Sequence, residues 1–206
     1  MKYRALWLAS ILAVALSPMI SNAQSTSSAS QTPASSTTPS VRQGFFISGG
    51  LGYGSAGIDC DGCSKDRENG PVAYIRLGGT INPHLRIGVE SDGWAKTISG
   101  VDEQIGFLTA DLYVYPSVSS NFWIKGGVGI ATAKESDNSD EVKANGVGVA
   151  VGIGYDLNVG GGNFVIVPFA GYLRQLSGTI KFDGADSGVS ANTNILQFGV
   201  GLGYRH

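Results

Sequence analysis

Large and small residues alternate along the segment from Gly146 to Leu157. One set comprises Val147, Val149, Val151, Ile153, Tyr155 and Leu157, and the other comprises Gly146, Gly148, Ala150, Gly152, Gly154 and Asp156. A period of two residues is that of a β-strand, whose successive side chains point to opposite faces. A soluble sheet would carry hydrophilic side chains on its second face, whereas glycine leaves the backbone bare. The segment therefore predicts a strand of a narrow closed barrel, with large residues in lipid and small residues toward a crowded interior.

Similar segments recur along the chain, so that eight strands are predicted. Their ranges are 44–54, 71–80, 84–94, 104–115, 121–133, 146–157, 163–175 and 193–204. A tilted strand needs about 9–11 residues to cross a bilayer, and each segment is long enough to do so. In the seventh segment Val165, Val167, Phe169 and Leu173 are assigned to the lipid face. Pro168 deletes a ladder donor in that segment, so we expect a bulge there.

The connections between these segments alternate in length. Residues 81–83, 116–120 and 158–162 form short turns, whereas 55–70, 95–103, 134–145 and 176–192 are longer and polar. Short periplasmic turns that alternate with long outer loops are typical of bacterial outer-membrane barrels. The predicted fold class is therefore all-β: an eight-stranded antiparallel transmembrane β-barrel over residues 44–206.

The first 43 residues precede this barrel. Lys2 and Arg4 are followed by an apolar run over residues 5–16, and Ser21-Asn22-Ala23 offers small residues for cleavage. This pattern predicts a secretory signal peptide over residues 1–23, because the apolar run is short for an anchor helix. Residues 24–43 are almost entirely Ser, Thr, Ala, Gln and Pro, which predicts a flexible periplasmic leader.

Composition agrees with a membrane barrel. Charged residues make up 15% of the 206 residues, compared with about 25% in typical soluble domains. The formal net charge of −2 gives no support to nucleic-acid binding through a basic surface. After the N-terminus no apolar run reaches the length of about 18 residues that a membrane-spanning helix needs.

Two glycine-rich motifs connect the chain with a known family. Residues 49–53 read Gly-Gly-Leu-Gly-Tyr, and residues 198–204 read Phe-Gly-Val-Gly-Leu-Gly-Tyr. Together with the signal peptide, these motifs resemble the small eight-stranded outer-membrane β-barrel family, which includes the OmpA-type transmembrane domain and the opacity-like porins. The resemblance covers residues 44–206 and implies that the barrel-assembly machinery recognises the last strand. This chain departs from the family pattern of a final aromatic residue, because Arg205 and His206 follow Tyr204.

The second face of the strands defines the expected lumen. Eight strands leave an interior just wide enough for side chains to fill, and charges in such a space must pair. Acids and bases are nearly balanced, so we expect a salt-bridged plug rather than a pore, with a small-solute channel as the alternative. The lumenal residues are predicted to include Tyr74, Arg76, Arg86, Glu90, Asp92, Asp111, Lys125, Asp156, Arg174 and Gln197.

Other chemistry-bearing residues fall in the connections. Cys60 and Cys63 in an exported chain predict a disulfide that pins the first outer loop. Oxygen ligands for Ca²⁺ or Mg²⁺ exist in two outer loops, although solvated acidic loops are the favoured interpretation. His84 and His206 both map to the periplasmic end, away from the outer rim where a lipid A-modifying enzyme would place its base. The acidic residues are Asp59, Asp61, Asp66, Asp137, Asp140 and Glu141.

The sequence thus predicts a monomeric, non-enzymatic barrel without cofactor or metal in the outer membrane of a Gram-negative bacterium. Its expected partners are outer-membrane lipid and lipopolysaccharide, which the outer loops would contact. A structural or surface-interaction role is the predicted function class.

Overall fold

A computed structural model describes residues 42–60, 63–64, 67–98, 100–136, 141–182 and 185–206. The predicted signal peptide and the predicted leader up to residue 41 lie outside these residues. The described residues form eight long strands: β1 (Phe45–Cys60), β2 (Glu68–Asn82), β3 (Leu85–Ile98), β4 (Val101–Val114), β5 (Phe122–Ser136), β6 (Glu141–Tyr155), β7 (Phe164–Phe182) and β8 (Ala185–Arg205).

Each strand pairs antiparallel with its sequence neighbours, and β8 pairs with β1 to close the sheet. Two further segments of two residues each join this sheet: Cys63–Ser64 pairs with the end of β1, and Leu157–Asn158 pairs with β7. The predicted eight-stranded antiparallel barrel is confirmed. Among the described residues there is no helix long and apolar enough to span a bilayer.

The strands extend well beyond the predicted ranges at one end of the barrel. β7 has 19 residues and β8 has 21, so most of the residues predicted as long outer loops belong to paired strands. Only residues 61–67, 99–100, 137–140 and 183–184 separate the long strands at this end. The reason is that hairpin pairing continues past the apolar band, where side chains no longer alternate between lipid and lumen.

Large apolar side chains cover the outside of the barrel. Leu51 is 72% exposed and Leu202 is 70% exposed, as expected for side chains that face lipid. Near the short turns the rings of Phe45 and Phe164 lie 6.0 and 5.4 Å from the ring of Tyr204. Aromatic girdles of this kind mark the membrane boundary in outer-membrane barrels.

The small face of β6 accommodates large side chains from neighbouring strands. A Cβ atom on Gly148 would lie 2.9 Å from the ring of Phe107, and one on Gly154 would overlap the ring of Trp123. The glycines are therefore required by crowding inside the barrel, as the alternation in this segment predicted.

The predicted orientation of the seventh strand is wrong. Val165, Val167 and Leu173 are buried inside the barrel, whereas Phe164 is exposed on its outside. Both faces of this strand are apolar, so hydrophobic alternation alone does not distinguish lumen from lipid. The consequence is that Arg174, predicted to be lumenal, lies on the outer wall and is exposed.

The expected bulge at Pro168 is also absent. Pro168 pairs with Val200 in an unbroken register, and the ladder to β6 ends next to it at Phe169. A missing donor is tolerated where a strand loses a neighbour. The irregularity in this ladder lies instead between Val147 and Gly148.

Candidate functional site in the barrel lumen

The lumen is filled by three groups of side chains that follow one another along the strands. A charged and aromatic group lies next to the short turns, a carboxylate–lysine group lies in the middle, and an apolar group lies toward the longer hairpins.

Asp156 is the centre of the group next to the turns. Its Oδ2 atom lies 3.2 Å from Arg86 Nη1 and accepts a hydrogen bond of 2.9 Å from the Tyr115 hydroxyl. Its Oδ1 atom accepts a hydrogen bond of 3.0 Å from Trp123 Nε1. The buried carboxylate is thus neutralised by one guanidinium and held by two aromatic donors, which is the condition for a charge pair in a dry interior.

Arg42 closes the same end from below, although it belongs to the predicted flexible leader. Its guanidinium stacks 3.9 Å from the centre of the Tyr115 ring. It donates to the Pro83 carbonyl at 3.0 Å and to the Ser120 carbonyl, so it connects two different turns. Burial lowers the pKa of Arg42, but a guanidinium stays charged at neutral pH.

The middle group is organised around Glu90. Lys125 Nζ lies 2.5 Å from Glu90 Oε1 and 3.7 Å from Asp111 Oδ2. The Tyr113 hydroxyl donates to Glu90 Oε2 at 2.7 Å. Arg76 lies 4.0 Å from the same carboxylate and stacks 4.6 Å from the centre of the Trp123 ring. Two cations and two carboxylates therefore share one buried cluster.

Asp92 follows Glu90 by two residues on β3, so its side chain lies on the same face. Its Oδ1 atom accepts a hydrogen bond of 2.6 Å from Gln197 Nε2, while Asp92 Oδ2 and Asp111 Oδ1 accept no hydrogen bond from the described residues. Below the apolar layer, in the two groups described so far, the formal charges of the buried side chains cancel. The cations are Arg42, Arg76, Arg86 and Lys125, and the carboxylates are Glu90, Asp92, Asp111 and Asp156.

An apolar group crosses the lumen above these charges. Trp94, Phe107, Leu173 and Ile195 pack in one cluster inside the barrel and are at most 2% exposed. Such a layer offers no hydrogen-bond partner to water or ions. Its nine buried members are Ala56, Val72, Trp94, Ile105, Phe107, Ala131, Ala150, Leu173 and Ile195.

Little free space remains in the charged part of the lumen. The cavity between Phe46, Arg76, Arg86 and Asp156 measures about 20 Å³. This volume holds about one water molecule.

The structure places nine of the ten predicted lumenal residues together inside the barrel, and Arg174 outside it. Sequence reasoning missed the buried residues Tyr113, Tyr115 and Trp123. Tyr113 follows the outward-facing Leu112, and Trp123 precedes the outward-facing Ile124. The alternation of the strands could therefore have identified both as lumenal. Sequence reasoning also missed Arg42, for which the leader composition gives no signal.

The other candidate residues lie apart from the lumen. The His84 ring contacts the Tyr115 carbonyl at 2.8 Å in the turn, and the His206 ring lies 5.8 Å from that of Phe45. The backbone register sets Cys60 opposite Cys63, but their side chains lie outside the described part of the chain, so the disulfide stays a prediction. Within the described residues there is no group of three side chains suited to a metal ion.

Comparison with solved structures identifies the fold. Ail, the attachment invasion locus protein of Yersinia pestis, aligns with a TM-score of 0.51 and 17% identity over 77% of this chain and 99% of its own. Neisserial surface protein A aligns with a TM-score of 0.50 and 17% identity over 79% of this chain and 97% of its own. These are small eight-stranded outer-membrane β-barrels, and the chain has their fold. No protein-family model matches the sequence, and no curated protein matches it.

Proposed function

We propose that this chain, with the fold of the small eight-stranded outer-membrane β-barrels, is a closed, non-enzymatic barrel of a Gram-negative outer membrane. Its role is structural or one of surface interaction, with the outer hairpins in contact with lipopolysaccharide. The apolar outer wall and its aromatic girdle support a position in a bilayer. The signal peptide predicted from residues 1–23 supports export to the periplasm.

The apolar layer is the observation that carries this proposal. An ion that moves along the lumen would have to leave its hydration shell among Trp94, Phe107, Leu173 and Ile195, which are almost completely buried. Below this layer the charged side chains pair with one another, and the cavity beside them measures about 20 Å³. A small-solute channel, the second candidate, requires a continuous hydrated path through both regions.

Conductance of the purified barrel in planar lipid bilayers tests the proposal. We expect the wild-type protein to show almost no conductance. The double substitution Trp94→Ala/Phe107→Ala should raise the conductance measurably, because it removes the two largest rings of the apolar layer, while the charged groups below should keep the currents small. Steady high conductance of the wild-type barrel would contradict the proposal and support the channel.

A matched control separates the layer from general damage to the wall. Leu108 follows Phe107 on β4, but its side chain points outward and is 47% exposed. Leu108→Ala should therefore leave the barrel closed. If Leu108→Ala gave currents as large as those of the double variant, the currents would come from general damage to the barrel wall and not from loss of the apolar layer.

A further inference from the structure

Two arginines lie on the outer wall of the barrel, where apolar side chains prevail. Arg174 is exposed and lies between Tyr172 and Leu176 on the outer face of β7. Its cross-strand neighbours are Val149 on one side and Asn194 on the other. Within the described part of the chain its guanidinium has no carboxylate partner.

Arg67, which precedes β2, reaches the same place from the opposite side. Its Nη1 atom donates to Asn194 Oδ1, its Nη2 atom donates to the Ser55 carbonyl, and its Nε atom donates to Ser55 Oγ at 3.0 Å. One N–H group on each Nη atom is left for a ligand. A Cβ atom on Gly57 would lie 3.0 Å from Arg67 Nη1, so the glycine leaves room for the guanidinium against the wall. Directly opposed residues in a sheet have Cβ atoms about 5 Å apart, and Asn194 therefore has both arginines beside it.

The position of Arg174 along the barrel axis follows from its distance from Phe164 on β7. Ten residues separate Phe164, in the aromatic girdle near the turns, from Arg174. They span about 33 Å along the strand and, at a tilt of about 40°, about 25 Å along the barrel axis. The apolar band of outer-membrane barrels is about 25 Å tall. Arg174 thus lies at the opposite boundary of the band.

Aromatic side chains support this boundary. Tyr172 precedes Arg174 on the outer face, and Tyr53 lies one outward position below Ser55 and opposite Phe198. These rings form a second girdle at the level just below the two arginines. The arginines therefore lie where the headgroups of the outer leaflet begin.

Among the residues that the structure describes, neither guanidinium has a carboxylate partner, and two such groups suit one kind of ligand at that level. Arginine binds phosphate with two parallel hydrogen bonds. We propose that Arg67 and Arg174 form a site for the phosphate of an outer-leaflet glycolipid, the lipid A part of lipopolysaccharide, with Asn194 holding Arg67 in position. This inference rests on the proposed outer-membrane function and assigns its lipid contact to the wall beside β1, β7 and β8.

Binding of diphosphoryl lipid A to the refolded barrel in detergent micelles tests the site, with bound lipid counted by native mass spectrometry. The double variant Arg67→Gln/Arg174→Gln should bind lipid A about tenfold more weakly than the wild type. Arg67→Lys/Arg174→Lys should lie between the two, because lysine keeps the charge but loses the paired hydrogen bonds. Heat-modifiable gel mobility verifies that each variant is folded.

Arg205→Gln is the matched control, because Arg205 is a cation at the other end of the barrel, bonded to Asn158. It should bind lipid A as the wild type does. Equal binding by wild type and double variant, or an equal loss in the control, would overturn the site. Inorganic phosphate should compete poorly, and full competition at equal concentration would assign the site to free anions instead.

The outcome is independent of the conductance test. If the barrel conducts but binds lipid A through these arginines, the proposal of a closed lumen fails and the phosphate site stands. A closed barrel whose double variant keeps its lipid A would contradict the phosphate site alone.

Discussion

Gly127 shows how closely single residues determine the lumen. A Cβ atom there would overlap Asp111 Oδ1 and lie 2.9 Å from the Ala110 carbonyl, whereas one on the neighbouring Gly126 would meet nothing within 4 Å. We expect Gly127→Ala to lower the free energy of unfolding by about 1–3 kcal/mol, as overpacking usually does. Gly126→Ala should be nearly neutral. Urea unfolding in detergent, monitored by gel mobility, compares the pair, and equal effects would contradict this account of the crowding.

Lys125 is the second residue whose contribution can be measured. It bridges Glu90 and Asp111, so Lys125→Met leaves two buried carboxylates without their ammonium group. Loss of one partner from a buried ion pair typically costs about 3–5 kcal/mol. We expect a loss of unfolding free energy in this range, compared with less than about 1 kcal/mol for Lys143→Met, because an exposed lysine contributes little even where it is paired. A Lys125→Met barrel as stable as the wild type would mean that the network contributes little to folding.

The two arginines that sequence analysis misplaced show where single-residue prediction fails. The alternation assigns Arg174 to the lumen because it places the neighbouring Leu173 in lipid, yet the interior at that level is apolar and contains Leu173. Arg42 was assigned to a flexible leader because its neighbours are small and polar. The contacts that place both residues are tertiary, and no local pattern carries them.

At the level of elements, the existence and order of the strands could be predicted, but their outer ends could not. Alternation predicts a strand only where lipid and lumen differ, and above the membrane both sides meet water. The hairpins nevertheless continue, as in Lys96 and Glu68, whose side chains pair at 2.6 Å across β3 and β2. The polar composition of these strand ends predicts loops, because their two faces do not differ in hydrophobicity.

Arg42 connects the turn at Pro83 with the turn at Ser120, next to the contact between His84 and Tyr115. Arg42→Ala should loosen the turns that it contacts, because hydrogen bonds to a charged group contribute about 1.5–3 kcal/mol each. We expect amide hydrogen exchange to accelerate about tenfold at Tyr115 and Ser120, whose amides bond to the His84 and Ser117 carbonyls. Global unfolding should change little.

The exposed neighbour Gln43 supplies the control for this measurement. Gln43→Ala should leave the exchange rates of the turn amides unchanged. Unaltered exchange in Arg42→Ala would show that Arg42 does not hold the turns together.

The hairpin that contains Cys60 and Cys63 gives a second prediction at this scale. The two residues are paired in register, and export to an oxidising compartment favours their disulfide. So short a closed loop gains little from closure entropy. Intact mass with and without reduction should show an oxidised pair, and Cys60→Ser/Cys63→Ser should still assemble. Failure of the double variant to fold would assign the bridge a larger role.

The molecule as a whole reverses the usual distribution of polarity. Its outside is apolar, whereas the buried charges in the lower part of the lumen balance and are capped by an apolar layer. The sequence predicted this inversion because small residues stood where a soluble sheet has hydrophilic ones. It did not predict the layers of the interior, because the apolar layer includes Leu173 of β7, which the alternation places in lipid.

Orientation in the membrane is a property of the whole barrel. The short turns lie at the same end as Phe45 and His206, whose backbones are hydrogen-bonded next to the closing pair of β1 and β8, and short turns are periplasmic in outer-membrane barrels. In a Cys60→Ser/Cys63→Ser background, Ser139→Cys should react with an impermeant maleimide on whole cells. Asn158→Cys, in the opposite turn, should react only after the outer membrane is disrupted. The reverse pattern of labelling would mean that the long hairpins face the periplasm, and the phosphate site of Arg67 and Arg174 would then lie at the inner leaflet.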